Sequence, residues 1–161
     1  MDLWNSLFGK LLQTFLISMV PVIELRGAIP YGIARGLTFF QAIPVAIIGN
    51  LVPVPFIIIF IKKIFAWLRK ISAGLDRLVT KLENRALSKT DTVKKYAFWG
   101  LFLFVAIPLP GTGAWTGALI AAMLDMKVKD AFPAIAFGVV TAGAIITFLT
   151  YVVGLTIFGV G

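Results

Sequence analysis

The 161 residues are 60% hydrophobic and only 14% charged, with a mean hydropathy of +0.99; a soluble domain carries roughly a quarter charged residues, so the composition predicts an integral membrane protein of one domain. The chain has no histidine and no cysteine. That removes disulfides, thiolate chemistry, the usual general base and the commonest metal ligand, so neither an enzyme nor a metal or cofactor site is predicted.

The net charge of +8 is concentrated in residues 62–95, where ten Lys/Arg stand against three acids, Asp76, Glu83 and Asp91. A basic segment between two membrane-length apolar runs reads as a cytoplasmic loop lying on anionic headgroups rather than as a nucleic-acid surface.

In chain order, the N-terminal stretch is not expected to be a signal peptide, because its apolar run continues to Glu24 without an A-x-A-like site. Block 11–37 is broken internally by Pro21, Gly27, Pro30 and Gly32. Such backbone is tolerated at membrane depth only when protein or a water-filled cavity surrounds it, so a re-entrant helix–turn–helix hairpin is predicted. Block 39–61 is apolar over 23 residues, enough to span about 30 Å of hydrocarbon. Within 63–95, Ile64, Leu68, Ile71, Leu75, Leu78 and Leu82 recur at helical spacing. That predicts an amphipathic helix on the inner membrane surface, with a short coiled-coil contact as the alternative. Thr90 or Asp91 is the expected N-cap of the next helix. Block 97–124 carries Pro108, Pro110, Gly111, Gly113 and Gly117 and reads as a second hairpin; block 131–158 is a second span.

The halves resemble each other. At a shift of 87 residues Pro21 falls on Pro108, and at 89 Pro44 falls on Pro133, which a two-residue insertion between the blocks would reconcile. The expected fold is therefore an all-α integral membrane protein, an inverted repeat of re-entrant hairpin plus transmembrane helix. Residues 1–161 form one membrane domain: repeat one 11–61, a basic amphipathic cytoplasmic connector 62–96, and repeat two 97–158. With the connector cytoplasmic, the first hairpin dips in from outside and the second from the cytoplasm, which leaves Lys127 and Lys129 on the cytoplasmic side. Four plain spans would instead put the N-terminus inside.

Charges in apolar segments cost at least ~2.5–3.5 kcal/mol each at the bilayer centre, so by default they face protein or water. Glu24 and Arg26 are placed at the first hairpin's tip, as an anion-binding arginine and a proton-titrating or ion-pairing acid; the alternative is mutual neutralisation that holds the tip. Tyr31 and Arg35 share a helical stripe with Glu24, and Arg35 either binds ligand or snorkels to headgroups. The second tip, Pro110, Gly111, Thr112 and Gly113, carries no charge and offers backbone groups and a hydroxyl to a ligand. Asn50 either completes the cavity or bonds a neighbouring helix. Ala28, Gly32 and Gly36, like Gly113, Gly117 and Ala121, form small-residue faces for close helix approach.

The motifs "ELRGAIPYGIARGL" and "PLPGTGAWTGALIA" resemble those of the small multidrug export protein family, which is more distantly similar to the DedA/VTT membrane proteins. The resemblance covers nearly the whole chain. It implies an inner-membrane protein with facing hairpins and, through the DedA relatives, flipping of polyprenyl phosphate or other lipids linked to the proton gradient. By position, Glu24, Arg26 and Arg35 match the first hairpin's charged residues, and Gly111 and Gly113 match the second's turn. This chain is shorter and lacks charges in its second hairpin. The leading expectation is a transporter or flippase of an anionic amphiphile, polyprenyl phosphate or phospholipid, with Glu24 as proton-coupling residue and the site between the hairpins. A small multidrug exporter of cationic compounds and a non-transporting scaffold are the alternatives. Expected partners are membrane lipids, the amphiphilic substrate and a second copy of the chain in a homodimer, with no nucleic acid.

Overall fold

A computed structural model describes residues 3–88, 98–109 and 111–158, and within these there is helix and no strand. A single 3-10 turn, Leu3–Asn5, precedes α1 (Leu7–Met19), α2 (Glu24–Ala34), α3 (Phe39–Leu51), α4 (Pro53–Ile71) and α5 (Ala73–Leu87). After the undescribed stretch come α6 (Phe98–Ala106), α7 (Ala114–Met123) and α8 (Val128–Phe158). Two apolar stretches, Phe39–Ile71 and Val128–Val152, are long enough to cross a membrane. The architecture is compatible with a membrane protein. The N-cap expected at Thr90 or Asp91 lies outside the described residues.

Two compact units divide the chain. The first comprises residues 1–52 and 139–161. In it α1 starts at Ser6, whose hydroxyl accepts from the Gly9 N–H at 3.1 Å. The chain turns at 20–23, and α2 packs back along α1. These helices have 13 and 11 residues, about 20 and 17 Å at 1.5 Å per residue. Neither reaches across a hydrocarbon core of about 30 Å. The two ends of the hairpin lie side by side, since the Arg35 guanidinium donates to Asn5 Oδ1 at 3.0 Å. Helix α3 packs on both arms. Its entry is fixed by the Thr38 N–H donating to Gln41 Oε1 at 3.0 Å. The interface is built from small side chains: Ala28, Ala42 and Ala46 are fully buried. A Cβ placed on Gly49 would lie 2.5 Å from the Phe15 carbonyl oxygen, so α1 and α3 approach at backbone distance.

The second unit is residues 53–138. Between α3 and α4 only Val52 intervenes, itself in helical conformation (φ −54°, ψ −47°), so Pro53 and Pro55 leave the helical run unbroken. The connector is not one helix. Ser72 ends α4 and N-caps α5, accepting from the Leu75 N–H at 3.3 Å. Arg69 then ties the two helices together through Asp76 at 3.2 Å and through Glu83. The expected stripe of Ile64 to Leu82 is therefore cut at residue 72. Phe65, Val79 and Ala86 are the buried positions, while Ile64, Ile71 and Leu78 stay exposed. Helix α5 packs on α4 and α7, and α7 also packs on α4 and α6.

Local hydrogen bonding recurs at a spacing of 89. The ends of α2 and α7 match: Leu37 N–H to Gly32 O pairs with Met126 N–H to Ala121 O, and Gly36 to Ile33 with Asp125 to Ala122. The starts of α3 and α8 match too, since Ala42 to Thr38 pairs with Ala131 to Lys127. Pro44 and Pro133 occupy the same place in their helices. Met19 and Ala106, which end α1 and α6, correspond at 87. The change of spacing from 87 to 89 thus falls before the ends of α2 and α7, not between the blocks.

Candidate functional site

The turn after α1 has no glycine, yet Val22 (φ 78°) and Glu24 (φ 49°) both adopt left-handed backbone. A β-branched residue there is an outlier, and each such position costs of order 1–3 kcal/mol. The strain directs Glu24 inward. Glu24 is 4% exposed while Val22, two residues before, is 93% exposed. The Glu24 N–H donates to Val20 O at 3.0 Å, which closes the turn. Arg26 is half-buried and attracted by the Glu24 charge. Pro30, inside α2, has no N–H to offer the Arg26 carbonyl.

The rest of the predicted stripe is occupied otherwise. The Tyr31 hydroxyl donates to Gln13 Oε1 on α1, and Arg35 reaches Asn5 Oδ1 and, at 3.5 Å, Trp4 O. Tyr31 ties the middle of the two arms, about two turns from Glu24, and Arg35 braces the open end of the hairpin, a helix length from it.

Asn50 is fully buried near the end of α3, and among the described residues neither its Oδ1 nor its Nδ2 has a hydrogen-bond partner. Its position relative to Glu24 follows from the packing. A Cβ on Gly32 would lie 3.2 Å from Ala42 Cβ. Because α2 and α3 are joined by a short turn and run antiparallel, each turn back along α2 matches one forward along α3. Ala28 comes level with Ala46, and Glu24 with Asn50. Leu25 and Ile47 agree with this register, lying 3.6 and 3.5 Å from a Cβ built on Gly143. Ser18, also fully buried, donates its hydroxyl to Ala46 O one turn before Asn50. The end of the first unit where α1 stops and α2 starts thus collects a buried acid, a buried amide and a buried hydroxyl.

The second hairpin's turn is differently made. Gly111 (φ 84°) and Gly113 (φ 133°) take conformations that disfavour a side chain, and Gly113 caps α7 without a side-chain bond. Thr112 Oγ1 donates toward Ile107 O at 2.7 Å and Leu109 O at 2.8 Å, and accepts from the Leu109 N–H at 3.1 Å. Thr112 is therefore spent on shaping the turn. The Arg85 guanidinium of α5 lies directly against Gly111, where a Cβ would collide with Nη2. A turn with no charge of its own is met by an arginine from elsewhere in its unit. No local sequence signal marks Arg85, since the contact spans 26 residues. Pro110 lies outside the described residues.

Among the described residues no three acidic side chains gather as a metal site. A guanidinium beside an acid, with unsatisfied amide atoms at the same level, suits a polar or charged ligand head within an apolar protein. No curated protein and no solved structure matches the chain. The sequence model of the family described as "Putative small multi-drug export protein" matches residues 24–145, from the buried acid of the first hairpin into α8, and the chain belongs to that family.

Proposed function

We propose that this protein is a small multi-pass exporter of amphipathic organic cations, a transporter and not an enzyme, with Glu24 as the group that meets the cation. The observation that carries this reading is the burial of Glu24, an acid in an apolar segment, at a strained turn (4% exposed, φ 49°). A buried carboxylate costs several kcal/mol unless charge or hydrogen bonds compensate it. Arg26 contributes to that compensation; a cationic ligand or a proton would compete for the same carboxylate, which makes Glu24 the candidate for proton coupling as well. The family's description points the same way.

In this reading the arms of each hairpin, too short to cross, enter the hydrocarbon and return to the side they left. The hydrogen-bond pattern shared at a spacing of 89 supports two repeats of hairpin plus span, and one span per repeat inverts the second. The basic stretch 62–88, folded on itself with Ile64, Ile71 and Leu78 outward, rests on the cytoplasmic face of the inner membrane. A chain this small works as a homodimer.

A second reading, movement of an anionic amphiphile such as polyprenyl phosphate or a phospholipid in the manner of DedA proteins, is favoured by two observations. Arg26 sits beside Glu24, and Arg85 sits on the second turn. Reconstitution in liposomes with a cationic dye and a fluorescent anionic lipid separates the two. Dye movement lost in Glu24→Gln and largely kept in Arg26→Ala is the expected result. Lipid movement without dye movement, with Arg26→Ala the damaging variant, would overturn cation export.

A further inference from the structure

We propose that the outer face of α4 is a binding surface for anionic phospholipid: Ile64, Trp67 and Ile71 enter the headgroup layer, and Lys63 and Lys70 meet its phosphates. This rests on the placement of the connector at the cytoplasmic face given above. It narrows that contact to one face of one helix and to one class of lipid.

The face begins in the span and outlasts it. Phe56, Phe60, Ile64, Trp67 and Ile71 are all exposed. At about 100° per residue they fall within an arc of about 80°, so they form one stripe along α4. The last three lie beyond Lys62, where the apolar run of the span has ended. A contiguous apolar face that is still exposed there marks an interaction surface, and tryptophan is a side chain of the headgroup level.

The four cations of this segment are sorted between two sides of the helix. Lys62 and Arg69 lie opposite the stripe and are ion-paired, Lys62 with Asp125 at 2.7 Å and Arg69 with Asp76 and Glu83. Lys63 and Lys70 lie along the edge of the stripe, two turns or about 10 Å apart. Both are exposed, and neither has a carboxylate partner among the described residues. The stripe is therefore apolar and positive, with no described acid on it.

That combination selects the occupant. A second copy seated face to face would bring these lysines against their own counterparts, and like charges so placed are unfavourable. A zwitterionic lipid covers the apolar residues but leaves the lysines without net charge opposite them. An anionic phospholipid supplies hydrocarbon and phosphate at the same depth, and each lysine at such a surface adds to the attraction. Helix α5 is equally basic but takes no part. Its apolar side is buried at Val79 and Ala86, and the opposite side carries Arg77, Thr80, Lys81 and Asn84, all exposed, with no large apolar residue among them to enter lipid.

The test uses the full chain in nanodiscs, with Ile64→Cys as the sole cysteine carrying a nitrobenzoxadiazole fluorophore. Doxyl-labelled phosphatidylglycerol should quench it about twofold or more as steeply as doxyl-labelled phosphatidylcholine at the same mole fraction. Lys63→Gln with Lys70→Gln should bring the two slopes together while quenching persists, and so should high salt. Arg77→Gln with Lys81→Gln removes the same charge from α5 and should leave the difference in place. All these positions are exposed; where Ile64→Cys does not fold, Ile71→Cys on the same stripe replaces it. Equal slopes without the lysine substitutions, or an equal loss in both double variants, overturns the proposal. So does a label quenched by neither lipid, which would place the stripe in water or against a second copy. The underlying reading fails separately: if an impermeant maleimide reaches Thr80→Cys from the outer side of oriented vesicles, the connector is misplaced altogether. Labelling from the cytoplasmic side together with equal slopes sinks the α4 surface alone.

Discussion

Replacing Asn50 by leucine should make the protein more stable and less able to bind. The side chain is fully buried, and neither amide atom has a partner among the described residues. Each buried unsatisfied polar group costs about 1–3 kcal/mol, while an apolar group of the same branched outline costs none of that. Leucine is somewhat larger, and overpacking takes back of order 1 kcal/mol. With two such groups, the net expectation is a gain of about 1–5 kcal/mol, or from roughly 5-fold to several thousand-fold in the folded-to-unfolded ratio. Guanidinium unfolding in detergent, followed by the emission of the four tryptophans, reads this directly. Asn50→Ala is the control: it removes the same polar atoms but leaves space, and should fall between leucine and wild type. Ligand affinity should drop in both variants, the usual exchange of function for stability at a site kept polar. A loss of about 1 kcal/mol or more in Asn50→Leu would refute the reasoning, because it would mean that the amide is satisfied.

Two further substitutions probe the frame of each unit. Gly49→Ala places a Cβ 2.5 Å from the Phe15 carbonyl oxygen; backbone cannot yield there, so a loss of about 1–3 kcal/mol or more is expected in the same unfolding assay. Gly111→Ala should cost about 1–2 kcal/mol for its left-handed backbone and a further amount for displacing Arg85. In an Arg85→Ala background the second part should vanish, leaving a coupling of about 0.5 kcal/mol or more in the double-mutant cycle; zero coupling would remove Arg85 from the turn.

The two hairpins are legible because prolines and glycines interrupt apolar runs that would otherwise span. Pro21, Pro108, Gly111 and Gly113 do fall in the turns, but other interruptions do not. Pro30, Pro44 and Pro133 all lie within helices, and the first turn is made by Val22 and Glu24 in left-handed backbone that no residue type announces. The break in the connector is hidden for a related reason. The apolar period runs through Ser72 without interruption, and the capping signal there is a single hydroxyl. Of the candidate site, Glu24, Arg26 and Asn50 stand out as polar groups in apolar helices. That Tyr31 ties the middle of the hairpin's arms and Arg35 its open end, that Thr112 is spent on its own turn, and that Arg85 covers Gly111 are matters of three-dimensional contact. Periodicity along the sequence carries none of them.

The central claim is that residues 7–34 enter the membrane and return to the same side without emerging on the other. Because the chain has no cysteine, single cysteines can be introduced without background at Leu3, Val22, Phe40 and Thr80, all exposed in the fold. Labelled with a membrane-impermeant maleimide in oriented vesicles, positions 3 and 40 should react from one side and position 80 from the other, with position 22 shielded from both. Positions 3 and 40 reacting from opposite sides, or position 22 reacting from the side of position 80, would show that the first hairpin crosses the bilayer, and would contradict the account.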